Sequence, residues 1–237
     1  MRRLIFALQK DILTIKNKKH SMKTRVFNLI ILDASGSMQS IKQSAIDSVN
    51  ETLQTIRSAQ NRHDNQQHFV TLVTFNDTVK TISECVPAEE VAELTADTYL
   101  PCCCTALYDA MGQSLTALRP QVAEADRVLV TVVTDGYENA SREYSGKAIK
   151  ALVDELKAKG WVFAYMGANQ DVEAVAATMS ITNAMKFEAT DHGYRKMSKK
   201  VNACRDRLYE SISCNEFKVE EANFNFFVDD DEPSHNA

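Results

Sequence analysis

The stretch Val26-Phe-Asn-Leu-Ile-Ile-Leu-Asp33-Ala-Ser35-Gly-Ser37 decides the reading of this chain. Its first seven residues form an almost unbroken apolar run of strand length, as a strand covered on both faces of a sheet requires. The run stops abruptly at Asp33, where small and hydroxyl-bearing residues take over. Beyond the turn, Met38, Ile41, Ala45, Val49, Leu53 and Ile56 recur at steps of three and four, the period of one apolar helix face. A strand, a small-residue turn and an amphipathic helix make the opening unit of an α/β fold.

The alternation continues downstream. Residues 69–75 read as a second strand, and Asn76-Asp77 is a turn signal before residues 79–82, which predicts an antiparallel hairpin at a sheet edge. A polar connection leads to Pro101, residues 105–118 read as a helix stopped near Pro120, and residues 127–134 give another buried strand ending at Asp135-Gly136. Residues 145–159 form a helix with Ile149, Leu152, Val153 and Leu156 inward, closed by Gly160. A strand over 161–166, a short helix over 171–179, a last strand over 184–187 and a basic-faced helix over 194–212 complete the pattern. The expected fold class is α/β, doubly wound and Rossmann-like: a mostly parallel central sheet with one antiparallel edge strand and helices on both faces.

Three segments are expected. Residues 1–22 are a basic extension, either a short amphipathic helix or a stretch ahead of a natural start at Met22. Residues 23–213 are the folded domain. Residues 214–237 are an acidic tail with Phe217, Phe224, Phe226 and Phe227 among its carboxylates, read as solvated or as a segment that docks on a partner or on its own domain.

Composition excludes several classes. With 27 Lys and Arg against 32 Asp and Glu, the net charge of −5 gives no general attraction for nucleic acid. The longest apolar runs fall far short of the roughly 20 residues of a membrane-spanning helix, and the N-terminal run is too short for a signal-peptide core. The six cysteines, three contiguous at Cys102, Cys103 and Cys104, lack the spacing of a disulfide scaffold and read as reduced thiols in a cytoplasmic protein.

Chemistry is expected where an open parallel sheet places it, at the carboxyl ends of its strands. Asp33-Ala-Ser35-Gly-Ser37 follows the first strand, Asp135-Gly136 follows a later one, and Thr105 stands at a loop-to-helix junction between them. Two carboxylates and three hydroxyls are all hard oxygen donors, which suits Mg²⁺ or Mn²⁺ rather than zinc. Each fragment alone would pass for a helix cap or a turn; the combination, at strand ends and in order, reads as a metal site. Tyr99, Asp97, Tyr137, Glu138 and Asn139 flank it, as rim residues that select a partner or as ordinary loop residues.

Asp33-x-Ser35-x-Ser37, a threonine in a second loop and Thr134-Asp135-Gly136 in a third resemble the signature of the von Willebrand factor A domain and its metal-ion-dependent adhesion site. The stretch from Thr134 to Ser141 looks like stand-alone bacterial members, and the likeness covers residues 23–212. The resemblance implies that Ser35, Ser37 and Thr105 ligate the metal directly while Asp33 and Asp135 hold metal-bound waters. It also implies a protein partner that supplies an Asp or Glu, with an ATPase among the expected company. The chain departs from the pattern at Cys102–Cys104, where members often carry glycines and other small residues. These cysteines read as small structural residues, with redox modulation of the loop as the alternative.

Competing readings have less support in the sequence. No G-x-G-x-x-G and no G-x-x-x-x-G-K-[ST] occurs, there is no H-E-x-x-H among the five histidines, and the histidines read as surface residues. An aspartyl-nucleophile phosphatase would want a second aspartate where Ser35 stands. The expectation is therefore a non-enzymatic, metal-dependent interaction module. A metal-dependent hydrolase or phosphatase using Asp33 and Asp135, and a scaffold with a degenerate site, are the alternatives.

Overall fold

The computed structural model describes residues 23–227. The expectations for residues 1–22 and 228–237 lie outside the described residues. The chain runs β1 (Thr24–Asp33), a 3-10 turn (Gly36–Ile41), α1 (Lys42–Arg62), β2 (Gln66–Phe75), β3 (Val79–Pro87), α2 (Leu107–Leu118) and β4 (Arg127–Thr134). It continues with α3 (Gly146–Ala158), β5 (Trp161–Gly167), α4 (Val172–Thr178), β6 (Asn183–Lys186), α5 (Asp191–Ser213) and α6 (Val219–Asn225). The sheet order is β3-β2-β1-β4-β5-β6; β3 pairs antiparallel with β2 and the other pairings are parallel. The doubly wound α/β reading and its antiparallel edge hairpin are what the structure has.

Both faces of β1 are covered, which is why its sequence is apolar without alternation. Phe27, Leu29 and Ile31 pack with Leu107, Met111 and Leu115 of α2 and Ile149 and Val153 of α3. Val26, Ile30 and Leu32 pack on the opposite face with Ile46 and Leu53 of α1 and Val201 and Leu208 of α5. Asn28, the polar exception, meets the buried Arg205 of α5: its Oδ1 accepts from Arg205 Nη1 at 3.1 Å and from the Tyr209 hydroxyl. Arg205 Nη2 donates to Thr131 Oγ1 at 3.2 Å, so a guanidinium ties α5 to the two central strands.

The sheet positions the site through its order and register. Connections leave β1 toward β2 on one side and reach β4 on the other, so the carboxyl ends of β1 and β4 border the crevice where strand order reverses. Their register sets Leu32 opposite Val133, which brings Asp33 beside Thr134.

Several expectations are corrected. His63 and His68 are buried rather than on the surface. His68 Nε2 lies 2.9 Å from Gln66 Oε1, and burial, with the charges of His63 and Arg205, pushes its ring down to about 3, so it stays neutral. β2 accordingly begins at Gln66, because Gln66 and His68 point into the α5 interface with their hydrogen bonds satisfied and periodicity alone reads them as loop. β3 runs on to Pro87, past the expected end, through an irregular register with Cys85 at φ +48°.

The sequence leaves the acidic tail solvated or docked; in its described residues, 214–227, it folds against its own domain. Asn223 of α6 donates from Nδ2 to the Trp161 carbonyl at 2.9 Å, and Asn183 Oδ1 accepts from the Phe226 amide at 3.1 Å. Phe226 enters the core beside Leu208 and Ile212. The acidity of the segment hides this docking, because the contacts that hold it are amide hydrogen bonds and the aromatic rings of Phe217, Phe226 and Phe227.

Candidate metal centre

The site is three loops held together from below. Asp33, the last residue of β1, is fully buried; its Oδ1 accepts from the Ser35 amide at 2.6 Å and its Oδ2 from Thr134 Oγ1 at 2.5 Å. The first bond is an Asx turn, which folds the chain back so that Ser35 and Ser37 sit above the aspartate. Their hydroxyl oxygens lie 3.1 Å apart, and Ser37 Oγ donates to Asp135 Oδ1 at 2.5 Å. Thr105 is buried, and its Oγ1 and Ser37 Oγ would lie 3.6 and 3.8 Å from a Cβ placed on Gly136. The structure thus brings together all five residues singled out in the sequence. Four are buried and Ser37 is exposed, so the group opens to solvent on one side.

The second loop is laid against the first by backbone bonds: Cys102 N–H donates to the Ala34 carbonyl at 2.9 Å and Gly36 N–H to the Cys103 carbonyl at 3.1 Å. The third loop is clamped to the start of α2. Glu138 carboxylate oxygens accept from the amides of Tyr108, Ala140 and Ser141, Asn139 Oδ1 accepts from the Thr105 amide, and Thr105 O accepts from the Asn139 and Ala140 amides. Asp109 accepts from the amides of Arg142, Glu143 and Tyr144. Glu138 and Asn139 therefore shape the loop, as the plainer of the two expectations for them has it. Tyr99 is corrected outright: it is buried, and its hydroxyl donates to the Asp33 carbonyl at 2.5 Å. Asp97 and Tyr137 are exposed, as rim residues are.

Burial dominates the electrostatics. It lifts the Asp33 carboxyl to about 6, against the opposing hydrogen bonds from Thr134 and Ser35 and with a smaller push from Asp135. Burial likewise raises Asp135, partly offset by the Ser37 hydroxyl. Both shifts favour the protonated form relative to a free carboxyl, and a divalent ion bound beside the two groups would oppose them.

No family model and no curated protein matches the sequence. Solved structures do. A von Willebrand factor type A protein from Catenulispora acidiphila superposes with a TM-score of 0.52 and 13% identity, over 75% of this chain and 42% of that one. Proximal thread matrix protein 1 of the mussel byssus, with a zinc-occupied MIDAS motif, gives 0.53 and 15%, over 78% and 46%. The ArnB paralog VWA2 from Sulfolobus acidocaldarius gives 0.53 and 14%, over 76% and 44%. This chain has the von Willebrand factor A fold. It spans less than half the length of each of these three neighbours.

The donor set of this site fits a small hard cation. An octahedral ion with metal–oxygen distances near 2.1 Å has adjacent ligands about 3.0 Å apart, and the Ser35 and Ser37 oxygens are separated by 3.1 Å. Among the described residues no group of three or more His, Cys, Asp or Glu is placed to hold a metal. The site is instead hydroxyl-rich, with Asp33 buried beneath the hydroxyls and Asp135 hydrogen-bonded to Ser37. No described helix is long and apolar enough to cross a membrane.

Proposed function

We propose that this chain is a metal-dependent protein-interaction module, in which Ser35, Ser37 and Thr105 hold Mg²⁺ or Mn²⁺ directly and Asp33 and Asp135 hold it through water. The observation that carries the reading is the convergence of three hydroxyls and two carboxylates, with Ser35 and Ser37 at octahedral spacing, at the strand-order reversal of an A fold. A divalent ion bound mainly by neutral hydroxyls keeps its Lewis acidity and favours a carboxylate from outside. The exposed Ser37 edge gives an Asp or Glu of a partner protein its approach.

A non-catalytic role agrees with the position of Asp33. The carboxylate that a hydrolase would use as nucleophile is buried and has both oxygens engaged by Ser35 and Thr134. The compartment we propose is the cytoplasm, on the six free thiols.

The test is capture of partners from a lysate of the cells that make the protein, in Mg²⁺ and in EDTA, with wild type and Ser37→Ala. A protein retained by wild type in Mg²⁺ and lost in the other arms is the expected result. Identical captures in every arm overturn the reading. Calorimetric titration of Mg²⁺ into the purified protein, with Ser37→Ala as the comparison, separates metal uptake from partner capture.

A further inference from the structure

The metal reading leaves the cysteine loop unused, and its geometry is specific. Cys102, Cys103 and Cys104 are all exposed, and the Cys103 thiol lies against the Cys102 sulfur at 3.0 Å. The Asn76 amide points at the same sulfur from 3.2 Å, so two donors converge on Cys102. Cys103 has φ +67°, a left-handed conformation that a side chain with a Cβ rarely adopts, and here it turns the two sulfurs toward each other instead of to opposite sides of an extended strand. These two residues also carry both backbone bonds that hold the second loop to the first, through the Ala34 carbonyl and the Gly36 amide.

We propose that Cys102 and Cys103 are a reversible dithiol–disulfide couple, oxidised by a low-molecular-weight disulfide such as glutathione disulfide, whose closure releases the backbone hold on the Asp33–Ser37 loop. The Cys102 sulfur, on which the two donors converge, attacks one sulfur of the oxidant. The oxidant's S–S bond breaks, and one thiol leaves with a proton. Cys103 sulfur then attacks the Cys102 sulfur of the mixed disulfide, and the second thiol leaves with the second proton. Two protein thiols are oxidised to one disulfide while one small disulfide is reduced to two thiols, and excess thiol reverses the exchange.

Closure must move the backbone. The trans peptide fixes adjacent Cα atoms about 3.8 Å apart, short of the roughly 4.4–6.8 Å usual between disulfide-linked Cα atoms, so the ring closes only by turning the φ and ψ angles around that peptide. The peptide between Cys102 and Cys103 is the one whose flanking N–H and C=O hold Ala34 and Gly36, so the adjustment falls on those bonds. Thr105 lies two residues past Cys103. The consequence for metal uptake rests on the function proposed above; the couple itself does not.

The test uses the full chain in EDTA with glutathione disulfide, followed by alkylation and mass analysis of the peptide carrying the three cysteines, with Cys102→Ser, Cys103→Ser and Cys104→Ser in parallel. Expected is a peptide lighter by two hydrogens in wild type and Cys104→Ser, reversed by dithiothreitol, and a glutathione adduct in the other two variants. Hydrogen exchange at the Gly36 amide is expected to quicken about tenfold in the oxidised protein as its bond to Cys103 is lost. Glutathione adducts alone in wild type, ring closure in Cys102→Ser, or unchanged exchange at Gly36 each overturn the proposal. Titration of Mn²⁺ into the reduced protein stands apart from these readouts: no uptake there sinks the metal reading, while the couple stands or falls on the peptide masses and the Gly36 exchange.

Discussion

Replacing Asp33 by Asn should stabilise the metal-free protein and abolish its response to metal. Burial lifts the Asp33 carboxyl from 3.8 to about 6, so at neutral pH the folded chain confines a charge that the unfolded chain solvates freely. The difference is worth about 3 kcal/mol. A carboxyl with a raised folded pKa contributes stability that is fully present below 3.8 and is lost as pH rises through about 6. Compared with the protonated carboxyl, Asn keeps an acceptor for the Ser35 amide but sets an amide nitrogen against Thr134 Oγ1, at a cost of about 1 kcal/mol. The net gain is about 2 kcal/mol near pH 7.5, or a rise of about 4–8 °C in Tm for a chain of this size. Near pH 4.5 most of the folded-state penalty has gone, and the two proteins should melt within about 2 °C of each other. Mg²⁺ at a hundredfold excess over its Kd should stabilise wild type by about 2.7 kcal/mol and leave Asp33→Asn unmoved, inverting their order. Thermal melts of both proteins at the two pH values, in EDTA and in Mg²⁺, check this. An Asn variant that melts below wild type in EDTA near pH 7.5, or that gains as much from Mg²⁺, would show that burial of the Asp33 charge does not govern the site.

Three further outcomes follow from single contacts. Gly136→Ala should leave Tm within about 2 °C of wild type, since its Cβ makes ordinary contacts with Thr105 Oγ1 at 3.6 Å and Ser37 Oγ at 3.8 Å. The methyl group lies against both of those oxygens, so Mn²⁺ affinity by calorimetry should fall at least about tenfold. Tyr99→Phe removes the donor to the buried Asp33 carbonyl and should cost about 1–3 kcal/mol in urea unfolding. Asn223→Ala removes the Nδ2 donor to the Trp161 carbonyl; α6 should detach, with faster hydrogen exchange over residues 219–225 and a stability loss of about 1–3 kcal/mol.

The parts of the fold legible in the sequence are those whose environment is uniform along an element. β1, β4 and β5 are largely apolar without alternation because helices cover both faces, and α1 and α3 show a clean apolar stripe because one face meets the sheet. Buried polar positions are the ones that periodicity misreads. Asn28, Gln66 and His68 look like solvent-facing residues and are buried in a network with Arg205 and Tyr209, partners more than 130 residues away. Tyr99 is not a rim residue for the same reason: one hydrogen bond to a carbonyl satisfies its hydroxyl inside the core.

Residue type and short-range spacing are enough to establish the alternation of strands and helices, the hard-oxygen chemistry after β1 and β4, and the cysteine run that sets this chain apart. Those properties survive without coordinates. That Ser37 meets Asp135 and that Thr105 faces Gly136 is settled only in three dimensions, because the register of β1 on β4 and the clamp of Glu138 and Asp109 on α2 set those distances. The same holds for the contact of two neighbouring thiols through one left-handed residue, and for the return of acidic residues 219–225 to the sheet. Each of these depends on a contact between segments that the chain's local preferences leave free, so only the closed fold could select it.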